Sequence, residues 1–319
     1  MVDLDIVIVN WNSGSQLADC IASIALSPPG PGLELSKCVV VDNASSDGSQ
    51  ESAGQLPVPL LLIRNPSNRG FAGASNQGAK IGRAKYILFL NPDVRLFPDS
   101  LTQSLLFMEQ PQNAGVGILG IQLLDGDSAI QRNVARFPTR ASLFFQMLGL
   151  NRLWPRVFLG HFMTDWDHNQ NRVVDQVQGA FFLVRRELFE ALKGFDERFY
   201  MYFEDLDFAF RARRAGWVCQ YLADARAFHS GGGSSDRVKA RRLFYVLCSR
   251  TRYVGRHFGY PAALQTALLS IAIECWVRLG WGLLHPSGSA PVETARAYGM
   301  FIRELSPLLR DVKKSKYFT

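Results

Sequence analysis

The chain has 319 residues, of which 47% are hydrophobic, 20% charged and 12% aromatic, with 27 Gly, 15 Pro and 5 Cys. That length can enclose a large core, and the composition excludes collagen-like, disulfide-scaffold, coiled-coil and disordered classes. The net charge of +7 is uneven: residues 1–210 carry −5, residues 211–256 carry +9 and residues 257–319 carry +3. A basic rear points to an anionic surface or a phosphate-bearing ligand, with a solvated basic face as the alternative.

The chain opens MVDLDIVIVNWN, with acids where a signal peptide needs positive charge and an apolar run of only about five residues. The five cysteines (Cys20, Cys38, Cys219, Cys248, Cys275) are widely spaced, which argues against a disulfide framework or a zinc site. Cys20 and Cys38 read as buried structural thiols. A reducing cytoplasm is the expected setting.

Short apolar runs at 6–10, 38–42, 60–64, 86–91 and 115–123 alternate with helix-like stretches near 15–26, 47–55, 71–84 and 98–109. The runs are almost wholly apolar rather than alternating, which predicts a parallel sheet covered on both faces. Ligands of such sheets bind beyond the carboxyl ends of the strands. Three of those ends are polar: Asn10-Trp11-Asn12, the stretch 42–48 (DNASSDG) and Asn91-Pro92-Asp93. Helix capping accounts for Ser46 and Asp47, but Asp42 ends an apolar strand where a bare carboxylate needs a partner.

Residues 130–170 read as an irregular variable loop or small lobe over the site, followed by a strand at 176–185, a helix at 187–192 and a turn at 194–197. The segment 202–213 (YFEDLDFAFRAR) predicts a helix whose acidic start suits the helix dipole. Asp207 has Arg211 four residues on, the spacing of a structural ion pair. Asp205 faces Phe208 and Ala209 at those offsets, with no local cation, which makes it a candidate general base. Glu204 caps the helix or orients a substrate. Asp93 and His229 form a second candidate pair, able to share a divalent ion with phosphate and water oxygens; the alternative for His229 is a purely structural histidine. Residues 262–284 are apolar but interrupted by Glu274 and Arg278. They predict a helix lying in a membrane interface with Trp276 and Trp281 at headgroup level, or else one buried against protein.

Residues 6–12, 40–48 (VVDNASSDG), 68–78 (NRGFAGASNQG), 91–93, 178–186 (QGAFFLVRR), 194–213 and His229 together resemble glycosyltransferase family 2, within it the bacterial rhamnosyltransferase-type members. The resemblance spans about residues 3–260. It implies a GT-A fold: an α/β, Rossmann-like mixed sheet flanked by helices. That fold would occupy residues 1–235, followed by a basic and amphipathic helical region at 236–319. It also implies inverting, metal-dependent transfer from a nucleotide sugar. By motif, Trp11 and Asp42 contact the nucleobase and ribose, while Asn68 and Asn76 line the donor pocket. Asp93, with Asn91 beside it and His229 assisting, holds a Mg²⁺ or Mn²⁺ ion on the diphosphate. Asp205 is the base, with Gly179 and Glu204 as acceptor-side candidates.

One departure is Asn91-Pro92-Asp93 in place of the common Asp-x-Asp, which leaves metal choice open. The implied donor is a dTDP- or UDP-sugar, dTDP-rhamnose first. The implied acceptor is a glycan or polyprenyl-diphosphate-linked sugar at the inner face of the plasma membrane, reached by a peripheral, anionic-surface-bound enzyme, with monomer and homo-oligomer both open. A non-catalytic nucleotide-sugar or glycan binder on the same fold is the competing class. Nucleic-acid binding is not expected, since no such signature accompanies the basic segment.

Overall fold

The computed structural model describes residues 1–51, 58–231, 238–284 and 290–314. In chain order its first elements are β1 (Val2–Asn10), α1 (Gln16–Ala25), β2 (Leu33–Asp42), β3 (Leu60–Arg64), α2 (Gly70–Ala79), β4 (Tyr86–Leu90), β5 (Val94–Leu96), α3 (Ser100–Glu109) and β6 (Val116–Leu124). Then come β7 (Val134–Ala135), α4 (Arg140–Met147), α5 (Leu150–Leu153), β8 (Arg172–Val174), β9 (Gln176–Val177), β10 (Phe181–Arg185), α6 (Arg186–Ala191), α7 (Glu204–Arg214) and β11 (Val218–His229). The C-terminal helices are α8 (Lys239–Phe258), α9 (Tyr260–Leu269), α10 (Cys275–Leu284) and α11 (Ala290–Lys314).

Two compact units divide the chain. One holds residues 1–137, 162–197 and 204–234, and the other residues 138–161, 198–203 and 235–319. Two earlier segments, 138–161 and 198–203, thus fall with residues 235–319. Residues 138–161, expected as a loop of the catalytic domain, group with the C-terminal helices, because α4 and the chain after it bury Leu143 and Met147 with Val254 and Ala262.

In the first unit, nine of the eleven described strands form a mixed sheet in the order β3-β2-β1-β4-β10-β6-β11-β5, with β8 beside β11, while β7 and β9 pair separately. Strands β3, β2, β1 and β4 run parallel. Their apolar runs serve two faces at once: Leu4, Ile6 and Ile8 of β1 enter one core cluster and Val7 another. This is the covered parallel sheet that continuous apolar strands require. On one face α2 lies so close to β1 that a Cβ on Gly78 would stand 2.5 Å from a Val7 methyl. The sequence FAGASNQGA is therefore small for a steric reason, and the start of α2 is brought to the carboxyl edge of the sheet.

The expected single strand at 176–185 is broken into β9 and β10. Strand β10 inserts antiparallel between β4 and β6, with Phe181 opposite Leu90. An antiparallel strand enters where its parallel neighbour leaves, so residues 178–180 stand at the carboxyl edge. The expected helix at 47–55 is, in its described part, a single tight turn at 49–51, and 52–55 lies outside the described residues.

Buried charge fixes the opposite edge. Asp5, 1% exposed, accepts from Arg186 Nη2 at 2.7 Å and from Ala84 N at 2.9 Å. Arg186 also donates to Ala79 O at 3.1 Å, closing the end of α2. A Cβ on Gly82 would fall 1.8 Å from Asp5 Oδ2, so that glycine is obligatory. All five cysteines are free, and Cys20 and Cys38 are buried as expected; burial pushes the Cys38 thiol up to about 12. Arg186→Ala strands Asp5 in the core, and urea unfolding should show a loss of about 3–5 kcal/mol; a loss below 1 kcal/mol would contradict a buried, geometry-setting pair.

Candidate functional site

Three strand ends build one side of the carboxyl edge. Asn10 and Asp42 are paired in register at the ends of β1 and β2. Asn10 Nδ2 donates to Asp42 Oδ1 at 2.8 Å, to Ser49 Oγ at 2.9 Å and to Ser45 Oγ at 3.1 Å. Asp42 Oδ2 accepts from Ser45 N at 3.2 Å. This supplies the partner that a carboxylate at 4% exposure requires. Two of its lone-pair positions stay available to a ligand. Trp11 lies half-buried between Asn10 and Asn12, and Asn12 takes the left-handed backbone at φ 51°.

Next to it, Asn43 Nδ2 donates to Asn68 Oδ1 at 2.9 Å, and Asn68 Oδ1 also accepts from Gly70 N at 2.9 Å. Asn68 thereby ties the entry of α2, where Gly70 has φ +75°, to the end of β2. Asn76 is placed differently from its expected position in a donor pocket. It is 6% exposed, and its amide grips the backbone of Phe195 from both sides, at 2.8 and 2.9 Å, with Glu197 Oε1 at 3.1 Å. It holds the turn after α6, where Gly194 has φ +73° and a Cβ would meet Asn76 at 2.5 Å.

The turn Asn91-Pro92-Asp93 joins β4 to β5, closed by Val94 N donating to Asn91 O at 3.1 Å, with proline at its favoured second position. Strand β5 pairs with β11 so that His229 stands opposite Val94. His229 Nε2 thus faces Asp93 Oδ2 at 3.4 Å, with both side chains nearly buried. Gln131 clamps the histidine: its Nε2 donates to His229 O at 2.7 Å, and its Oε1 accepts from Nδ1 at 2.7 Å. An amide oxygen only accepts, so Nδ1 carries a proton and Nε2 is the ring nitrogen turned to the carboxylate. Among the described residues no three His, Cys, Asp or Glu side chains gather. A divalent ion at this place would have only Asp93 and His229 as acidic or imidazole donors and would need further oxygen ligands, a donor set of the kind that Mg²⁺ or Mn²⁺ accepts.

Opposite stands the start of α7. Asp205 Oδ1 accepts from Leu206 N at 2.8 Å and Oδ2 from Gly179 N at 3.0 Å. One residue beyond Gly179, Ala180 O accepts from Asn91 N at 3.0 Å. Two hydrogen bonds and one peptide unit therefore join Asp205 to the Asn91-Pro92-Asp93 turn. Burial raises the Asp205 carboxyl above its usual range, opposed by the donors at Leu206, Gly179 and Gln176. Glu204 is raised well above its usual range, first by burial and then by the Asp205 charge, and its Oε2 has no partner. Tyr202 and Phe203 precede the pair with φ of 65° and 70°, a conformation costing non-glycine residues about 1–3 kcal/mol each. Asp207 forms the expected ion pair, 2.7 Å from Arg211 Nε.

Gln131 and Gln176 were not expected at the site. Each is a lone polar residue near a short strand, and local pattern carries no signal of a partner about a hundred residues away in Gln131.

Residues 5–192, more than half of the chain, match the model of glycosyl transferase family 2. The chain is 28% identical to the N-acetylglucosaminyl-diphospho-decaprenol L-rhamnosyltransferase of Mycobacterium tuberculosis, over 75% of this chain and 80% of that one. It is 29% identical to the rhamnosyltransferase WbbL of Escherichia coli, over 54% of this chain and 62% of that one. Among solved structures it resembles the mannosyltransferase PcManGT of Pyrobaculum calidifontis in complex with GDP-Man and Mn²⁺. There the TM-score is 0.53 and the identity 15%, over 97% of this chain and 84% of that one. For S. aureus TarS residues 1–349 the TM-score is 0.51 and the identity 13%, over 96% and 92%. These likenesses show the GT-A-like fold. The chain belongs to glycosyl transferase family 2 and is a rhamnosyltransferase-like glycosyltransferase.

Proposed function

We propose that the chain moves a sugar with inversion from a nucleotide-diphosphate donor, L-rhamnose from dTDP-rhamnose first, onto a glycan or polyprenyl-diphosphate-linked acceptor of the cell surface. It would work peripherally at the inner face of the plasma membrane, with transfer in the first unit and attachment in the second. The names of the two rhamnosyltransferase relatives support this choice of sugar. The observation that carries the reading is the short link from Asp205 through Gly179 and Ala180 to Asn91. It ties a half-buried carboxylate to the same sheet edge as Asp93 and His229.

In this reading Asp42 and Trp11 take the ribose and base, and Asn68 shapes the pocket beside them. Asn76 supports its wall through the Phe195 turn. Asp93 and His229 would hold a divalent cation, which when bound offsets the charge on the departing diphosphate. The two backbone donors fix the Asp205 carboxylate while leaving each oxygen a lone pair. From that position it removes the acceptor hydroxyl proton as the oxygen attacks the anomeric carbon and the bond to diphosphate breaks. A positioned base contributes about 10²–10⁴ in rate. Glu204 is also pushed above its usual range by burial and by the Asp205 charge, and in its protonated form it can face the acceptor as a hydrogen-bond donor without opposing the base.

Asp205→Asn should keep donor binding, read as thermal stabilisation by nucleotide sugar, and lose transfer by a factor of about 10² or more; turnover at the wild-type level would refute the base assignment. Asp93→Ala should remove the extra stabilisation that Mn²⁺ adds to the donor, and an undiminished Mn²⁺ increment would exclude Asp93 as a ligand. Because the Asp205 pKa is raised from 3.8, activity should fall with acid at a pH above the ordinary aspartate range. Glu204→Gln should leave that acidic limb in place, since glutamine keeps the uncharged neighbour that a protonated Glu204 supplies. A limb displaced downward by a full pH unit in that variant would mean that Glu204 is ionised beside the base.

A further inference from the structure

The second unit holds eighteen Lys and Arg against five Asp and Glu, a net +13 beside −6 for the first. Within it, residues 138–161 carry Arg140, Arg152 and Arg156 and no acid. The run Tyr260–Leu284 is 25 residues long and apolar enough, by length and composition, to cross a membrane. Its two halves behave differently. Along α9 and the π-turn Ser270–Glu274, the residues Ala262, Ala263, Thr266, Ala267, Ser270 and Glu274 are buried. Glu274, 2% exposed, is gripped by Arg250 and Arg278, with Arg250 also on Ser270 Oγ at 2.8 Å. Burial alone would raise the Glu274 carboxyl, but the two arginines outweigh it and hold it down to about 2. Along α10, in contrast, no residue is buried.

The exposed half is not alone. A Val277 methyl lies 3.1 Å from where a Cβ on Gly149 would stand, and the Arg152 guanidinium lies 5.5 Å from the Trp281 ring centroid. Helix α5 and its following turn thus lie beside α10. Together they present Leu153, Trp154, Val157, Trp276, Leu283 and Leu284, all 55–76% exposed. Scattered exposed hydrophobics are ordinary, but a group rimmed by arginines and containing two tryptophans has the chemistry of a bilayer interface.

We infer that this face, formed jointly by α5 with its following turn and by α10, is where the protein inserts shallowly into an anionic phospholipid leaflet. The inference rests on the membrane-peripheral reading above and adds the surface and its lipid. A helix that crossed the bilayer would have to pull Glu274 away from Arg250, which the buried network forbids, so α10 lies in the interface plane. A second copy of the chain is the less fitting occupant, since two faces on units of +13 repel one another, whereas anionic headgroups are complementary.

The test is co-sedimentation of the full chain with vesicles of phosphatidylcholine alone or with added phosphatidylglycerol, beside transfer to a water-soluble acceptor. Binding should require phosphatidylglycerol and shift tryptophan emission to the blue. Trp154→Ser combined with Trp276→Ser should lower the partition roughly tenfold or more with the melting temperature unchanged. Arg152→Gln combined with Arg156→Gln should weaken binding mainly at low salt. Equal binding by the tryptophan variant, equal binding to neutral vesicles, or a dimer that the tryptophan variant abolishes would each overturn the inference. Failed vesicle binding with intact transfer sinks this surface alone; failed transfer with intact vesicle binding sinks the glycosyl-transfer reading instead.

Discussion

The site depends on where β10 enters the sheet. Its antiparallel insertion between β4 and β6 gives residues 178–180 partners on two sides. On one side Ala180 O takes the Asn91 amide; on the other the Gly179 amide takes Asp205. A parallel strand at this place would begin at the far edge and leave Asp205 without an anchor near the Asn91-Pro92-Asp93 turn. The spacing between Asp205 and the turn is set by one backbone–backbone hydrogen bond and one from a backbone amide to the carboxylate, with no chain of side chains between them. Catalytic geometry of this kind tolerates displacements of only about an ångström, and backbone is the suitable material for it.

Strand positions were readable because a strand covered on both faces has to be apolar throughout. Strand β3 was expected at 60–64 and lies there, and β4 differs from expectation by one residue. The break between β9 and β10 was not readable, since QVQGAFFLVR is as apolar as one long strand and the interruption comes from tertiary pairing. The motif residues of the site were legible through their local chemistry: Asp42 as a polar end to an apolar strand, Asp207 through its i,i+4 partner, Asp205 through lacking one. Asn76 was assigned to the donor pocket by the family motif alone, and its amide is engaged by Phe195. Whether a polar side chain on α2 turns toward a cleft or toward a loop depends on what packs there, and periodicity does not encode it.

The treatment of buried acids separates structure from chemistry within one unit. Asp5 lies against an arginine and a backbone amide, and Asp42 against an asparagine and a backbone amide. Glu204 has an oxygen with no partner and an acidic neighbour. Burial and the neighbouring Asp205 charge both act against an ionised Glu204, and the left-handed Tyr202 and Phe203 add local strain. Such local cost persists where the surroundings over-determine the conformation, and it concentrates where chemistry needs a displaced pKa.

The same contrast runs through the C-terminal helices. Glu274 is charged and buried, which only the paired arginines make tolerable, and they fix α9 along the core that Leu247, Tyr298, Phe301 and Leu308 build. Beyond Glu274 the helix has neither buried side chains nor acidic residues to solvate it. An apolar surface in water raises the free energy of the unit that bears it, and nothing within α10 offsets that increase. The basic composition of the unit does not stabilise its own fold, since like charges in one compact body repel. Both features are unfavourable for an isolated protein in water and favourable against a negatively charged lipid surface. The physical case for that surface therefore comes from two separate liabilities with a common remedy.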